Sequence, residues 1–258
     1  MPKDGRTGAL ERGVAEAALF FAILIWWLTS RGMPAFVMPG PWEVFVTLGR
    51  FAIEPGLAYH VGISAFRVVA AVSLAMAIAM AVALLARRSP LFEAVIEHRV
   101  LVILNSFPSV GWAILGVIWF QVSNTTVIFI ETAIILPFCL INTLEGFRQI
   151  DPELDEMGRS FSRSRWRRFT KVTLPLIMPF LMAGLRIAYG ICWKIALVAE
   201  LFGAQSGLGF LLVRAQSSAD AAMVFATCLV IVVAVFVVDR LVLAPLARAY
   251  SVNRGETS

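Results

Sequence analysis

Long apolar runs recur along this chain and settle which solvent it folds in. Each holds about twenty residues, the length a helix needs to cross a hydrocarbon core of about 30 Å. Backbone inside lipid must satisfy its own N–H and C=O groups, so these runs predict helices. Six are expected: Val14–Ser30, Val61–Ala86, Val100–Phe120, Thr125–Leu144, Leu176–Leu201 and Ala221–Val238. Charged residues make up 15% of the chain, against about a quarter in a water-soluble domain. The expected fold class is an all-α integral membrane protein with about six transmembrane helices, arranged as a single transmembrane domain over residues 1–258. The run from Val14 is too long for a signal-peptide core and lacks a small-residue cleavage site, so it reads as a retained span.

Basic residues choose the orientation. Lys3, Arg6 and Arg12 precede the first run; Arg87, Arg88 and Arg99 lie between the second and third. Arg148, Arg159, Arg163, Arg165, Arg167, Arg168 and Lys171 lie between the fourth and fifth, and Arg240, Arg248 and Arg254 follow the sixth. Six crossings put all of these on one side, the cytoplasm, with both termini. The opposite loops hold Arg31, Arg50 and Arg214. A short surface helix is expected from Pro41, with Val44, Phe45, Leu48 and Phe51 as its apolar face. The glycines Gly203, Gly207 and Gly209 predict a turn or partly re-entrant hairpin before the last span. Cys139, Cys192 and Cys228 fall inside apolar runs and read as packing residues. His60 and His98 lie far apart, which disfavours a histidine metal centre.

Between the fourth and fifth runs lies a charged, amphipathic segment, Asp151–Pro175. Asp151 can cap a helix whose first position is Pro152. Glu153, Asp155 and Glu156 precede the basic group from Arg163 to Lys171, an order that complements the helix dipole. Leu154, Met157 and Phe161 share a face, with the small residues Gly158 and Ser162 beside it. Two readings follow: a helix lying on anionic lipid, or a docking helix seated in a groove of a cytoplasmic protein.

The same residues carry a resemblance. The EAA signature of permeases in binding-protein-dependent ABC importers runs Glu-Ala-Ala, three residues, Gly, nine residues, Ile, any residue, Leu-Pro. Here Glu156-Met157-Gly158, then Ser162, then Val172-Thr173-Leu174-Pro175 keep that spacing throughout. Met157 and Gly158 stand for the alanines, Ser162 for the glycine and Val172 for the isoleucine. Ser64-Ala65-Phe66-Arg67-Val68, Asn142-Thr143-Leu144-Glu145-Gly146, Ala183-Gly184-Leu185-Arg186, Ala199-Glu200, Ser206-Gly207-Leu208-Gly209 and Asp239 resemble, in order, the sulfonate, nitrate and taurine permease group. The resemblance implies a type I ABC importer permease and the pairing of two such chains around the pore, an expected homodimer. It implies a coupling loop, 146–175, that docks on a cytoplasmic ABC ATPase, with Leu154, Glu156, Met157, Gly158, Phe161, Ser162, Leu174 and Pro175 as its contact residues. It also implies a periplasmic or lipid-anchored solute-binding protein and residence in the bacterial inner membrane. The chain has no G-x-x-x-x-G-K-[ST] phosphate loop, so ATP hydrolysis is expected on a separate subunit, with no cofactor and no nucleic acid bound here.

Ionisable groups inside the runs are functional candidates by default, because each is costly at depth unless paired or wetted. Arg67, Glu131 and Lys194 fall at a common depth of roughly 10 Å from the outer ends. Glu131 is expected to pair with Lys194 or Arg67. Arg186 lies deeper, and Glu200 at the outer end of the fifth run reads as hydrated. Cationic groups on a pathway suit a small anion such as a sulfonate, nitrate or carboxylate. Two other functions compete: an ion-coupled secondary transporter, for which internal repeats and broken midplane helices are the usual marks, and a membrane-embedded enzyme, for which no acid, base, nucleophile or metal constellation is apparent.

Overall fold

The computed structural model describes residues 5–151, 153, 160 and 164–246, and among these the regular structure is helical. Helix α1 runs Gly5–Ser30 and α2 runs Pro41–Ile53. The long α3 covers Pro55–Ala86. Next come α4 (Pro90–Ser106), α5 (Ser109–Phe120) and α6 (Asn124–Arg148). Helix α7 spans Arg165–Gly203, α8 Leu208–Ser217 and α9 Ala221–Leu246. Helices α3, α6, α7 and α9 are long and apolar enough to cross a membrane. The pair α4–α5 makes a fifth candidate, and the apolar part of α1, Glu16–Ser30, is shorter.

The expected third span is not one rod. Helices α4 and α5 meet at an 85° bend. Phe107 is extended (φ −73°, ψ 126°), as a residue before proline prefers, and Pro108 then opens α5. Pro137, by contrast, sits inside the unbroken α6. Helix starts follow their chemistry. Ser89 accepts a hydrogen bond from the Phe92 N–H, and Ser123 accepts one from the Thr126 N–H. Pro41 opens the surface helix α2 as expected, with Glu43 in its first turn and Arg50 in its last. Glu54 ends α2, and its carboxylate holds the Arg50 guanidinium protonated above its ordinary range.

The chain divides into two compact units. One contains residues 1–59 and 211–230. In it the Trp26 indole N–H donates to the Pro39 carbonyl at 3.0 Å, and the ring stacks on Phe225. The Arg31 guanidinium lies 3.7 Å from the centre of the Trp27 ring.

The other unit holds residues 60–210 and 231–258. Its centre is the contact between α6 and α7. Ala113, Val127, Ile130 and Ala199 are buried together there, flanked by Trp112 and Phe129. The helices meet closely at glycine. A Cβ on Gly146 would come within 2.9 Å of Phe180, and one on Gly184 within 2.9 Å of Asn142. Helix α3 presents Ala71, Ala75, Ala79 and Ala83, all buried, at four-residue spacing. That stripe lets backbones approach, the usual source of helix association in lipid. At the C-terminal end of α6, Arg148 bridges Glu93 at 2.8 Å and Glu97 at 2.5 Å, tying it to α4.

Candidate functional site

The intramembrane charges form two ion pairs and leave one carboxylate apart. Arg67 is 1% exposed, so its guanidinium must find acceptors inside the protein. It finds four. Nη1 donates to Glu200 Oε1 at 2.8 Å and to the Ser206 carbonyl at 2.7 Å. Nη2 donates to Asn124 Oδ1 at 2.6 Å and to Ser206 Oγ at 2.9 Å. Nε also donates to Asn124 Oδ1, at 3.0 Å. Glu200, equally buried, accepts from the Ser64 hydroxyl at 2.6 Å and from the Gly209 N–H at 2.8 Å.

The network also collects the N–H groups that open α8. Gly207, Leu208 and Gly209 donate in turn to His60 Nδ1, Ser64 Oγ and Glu200 Oε2. His60, Ser64 and Arg67 lie on one face of α3 because they are spaced at four and three residues. Gly207 has φ +110°, and a Cβ there would run into the Glu200 carboxylate. A Cβ on Gly209 would meet the Leu197 carbonyl oxygen at 2.6 Å. Both positions therefore need glycine, one for conformation and one for room. The expected hairpin is thus a tight turn leading into α8, held down by side chains from α3 and α7.

This arrangement corrects the expected pairing. Arg67 pairs with Glu200, not with Glu131, and Glu200 is enclosed rather than hydrated. Glu131 is fully buried on α6. It accepts from the Cys192 thiol at 3.7 Å, while its Oε1 has no hydrogen-bond partner among the described residues. Lys194 is exposed on α7 and forms no ion pair with Glu131. Equal depth did not bring the two together. Cys192 and Trp193 point inward, and Lys194, the next residue around the helix, points out.

Arg186 on α7 and Asp239 on α9 form the second pair. Arg186 Nε donates to Asp239 Oδ1 at 2.5 Å, and Nη2 donates to Oδ2 at 2.7 Å. This is the two-pronged geometry that arginine makes with carboxylates. The side chains are 52% and 30% exposed, so the pair lies on an open face of its unit. Both residues lie roughly 25 Å along their helices from the ends at Gly203 and Ala221. Asp239 also begins a π-helical turn, Asp239–Leu243, where an extra residue per turn re-aims the side chains that follow.

Of the predicted coupling residues, Leu154, Glu156, Met157, Gly158, Phe161 and Ser162 lie outside the described residues. Leu174 and Pro175 follow a second π-helical turn, Phe169–Thr173, within α7. The Glu153 N–H donates to Asp151 Oδ1 at 2.9 Å, the side-chain-to-backbone bond expected of Asp151.

Residues 73–245 match the family described as binding-protein-dependent transport system inner membrane component. The chain belongs to that family. This permease is similar to SsuC of Bacillus subtilis, named for aliphatic sulfonates transport, at 27% identity over 86% of this chain and 80% of the relative. It is similar to the nitrate import permease protein NrtB of Leptolyngbya laminosa at 25% identity, over 81% of this chain and 77% of the relative. It is also similar to the bicarbonate transport system permease protein CmpB of Synechococcus elongatus at 27% identity, over 75% and 73%. It is a multi-pass inner-membrane permease of an ABC importer, with transport rather than catalysis as its family's role. The resemblance to the sulfonate and nitrate group holds. Several of the short segments that carried it meet at one place: Ser64 and Arg67, Glu200, and Ser206 to Gly209 all belong to the Arg67–Glu200 network.

Sequence reasoning missed Asn124, and it weighed His60 only as a metal ligand. One signal was available. An arginine on a helix face with Ser64 and His60 has the donors and acceptors to bind a glycine-rich turn, and Gly207-Leu208-Gly209 is such a turn.

Proposed function

We propose that this permease conducts a small oxyanion inward through a pathway formed by two copies of the chain, driven by an ATPase on a separate subunit. A binding protein delivers the solute from outside, and the coupling loop 146–175 docks on the ATPase from the cytoplasm, where both termini also lie. Glu156 and its neighbours grip the ATPase, and Leu174-Pro175, near the start of α7, passes the motion along that helix.

The observation that carries the pathway is the exposed Arg186–Asp239 pair. A half-exposed charge pair on two membrane-crossing helices is costly against lipid, so its open side faces water or a second copy. The anion class is supported by the relatives, which are named for sulfonates, nitrate and bicarbonate. Arg67 is excluded from solute contact by its burial and its saturated hydrogen bonds.

Reconstitution with the ATPase and binding protein tests the reading. The expected outcome is ATP hydrolysis stimulated by the anion, with uptake that stops when the ATPase is omitted. Uptake by the permease alone would overturn it in favour of an ion-coupled carrier. Glu156→Lys is expected to retain membrane insertion and basal ATPase activity while losing uptake, and normal uptake in that variant removes Glu156 from the contact.

A further inference from the structure

A basic cavity of about 620 Å³ lies where α3 ends and α7 begins. Arg87 and Arg88 line it from the end of α3, and Arg165 and Arg168 from the first turn of α7. Leu84 and Phe169 supply an apolar wall. No carboxylate is among the described residues that line it. Glu93 and Glu97, the nearby acids of α4, are occupied by Arg148. Arg88, Arg165 and Arg168 make no ion pair among the described residues.

We propose that this cavity binds the phosphate of an anionic phospholipid headgroup. Guanidinium groups presented from two helices suit the several oxygens of a phosphodiester. Three features favour lipid over a free phosphate. The cavity starts at Arg87, where the apolar α3 ends at Ala86, so it adjoins the end of a membrane-crossing helix whichever way the chain is inserted. Leu84, one turn further into the span, offers apolar contact to the first carbons of an acyl chain. Trp166, between the two α7 arginines, is 74% exposed, the placing of an aromatic residue that anchors at the membrane interface. The site shares Arg165, Arg168 and Phe169 with the coupling loop but not the Arg186–Asp239 pair, and it does not depend on which solute is carried.

The full chain in nanodiscs of equal phosphatidylcholine and phosphatidylglycerol, read by native mass spectrometry, tests this. Phosphatidylglycerol is expected to be retained selectively. Arg88→Gln with Arg168→Gln is expected to cut that retention roughly tenfold or more, at about a kcal/mol per basic residue. Arg99→Gln with Arg240→Gln removes the same charge from exposed positions outside the cavity and is expected to retain lipid as the parent does. If the first double variant fails to fold, Arg88→Gln and Arg165→Gln singly report the two helices separately. Equal retention in parent and cavity variants overturns the proposal, as does an equal loss in the exposed pair of variants. In phosphatidylcholine alone, inorganic phosphate that binds the parent and not the cavity variant also overturns it, by assigning the site to a free anion.

Discussion

Arg67–Glu200 and Arg186–Asp239 are both guanidinium–carboxylate pairs on membrane-crossing helices, yet their surroundings differ in kind. The first is sealed, and nearly every donor and acceptor in it is shared with a third group: Ser64, Asn124, Ser206 or Gly209. The second is two-pronged and open, with no third side chain bridging it among the described residues. A buried pair with many partners resists separation, because opening it strands several polar groups at once. An open pair can exchange one carboxylate for water or for a passing anion at little cost. Within this unit, the Arg67–Glu200 pair is built into the packing, while the Arg186–Asp239 pair stays open to an outside partner.

Three substitutions test that contrast, in falling order of effect. Glu200→Ala should be the most damaging. It leaves the Arg67 charge enclosed and frees the Gly209 N–H, at a cost of about 3–5 kcal/mol. The expected result is a large fall in the thermal midpoint and in the yield of monodisperse protein. A variant as stable as the parent removes the Arg67–Glu200 network from its structural role. Arg186→Glu should come next and act on function. Uptake should fall roughly tenfold, a coupling change of one to two kcal/mol, with the thermal midpoint near the parent's. Exchanging the pair, Arg186→Asp with Asp239→Arg, should restore part of the uptake. Lost stability without lost transport in Arg186→Glu would reverse the assignment.

Glu131→Gln should have the smallest effect. The amide keeps the shape, and Oε1 gives up no bond among the described residues, so stability should change by less than about 1 kcal/mol. Uptake measured between pH 6 and 8 should match the parent's. A variant that alters the pH profile would show that the carboxylate meets a partner in another conformation, which would put Glu131 with the Arg186–Asp239 pair in function.

Sequence and structure agree most where one physical rule acts along a single helix. The apolar runs gave α3, α6, α7 and α9, because span length is set by bilayer thickness. Pro41 and the apolar face after it gave the surface helix α2. The partners of the intramembrane charges were not legible in the same way. Depth counted along straight rods put Arg67, Glu131 and Lys194 level, but it carries no information about which way each side chain turns. Lys194 turns outward beside two inward residues, and the turn after α7 folds Ser206 back onto Arg67. The expected third span breaks by 85° at Phe107-Pro108, because the residue before the proline is extended.

Composition and run length alone determined the solvent and the helical class, and the likeness of short motifs to known permeases gave the importer family, since each is written in local residue order. Tertiary packing alone assigned Glu200 to Arg67 and Asp239 to Arg186. An ion pair in a membrane protein is chosen by helix rotation and by the turns between helices, and those are fixed by contacts distant in the chain, such as Ser64 with Glu200 and Arg67 with Asn124.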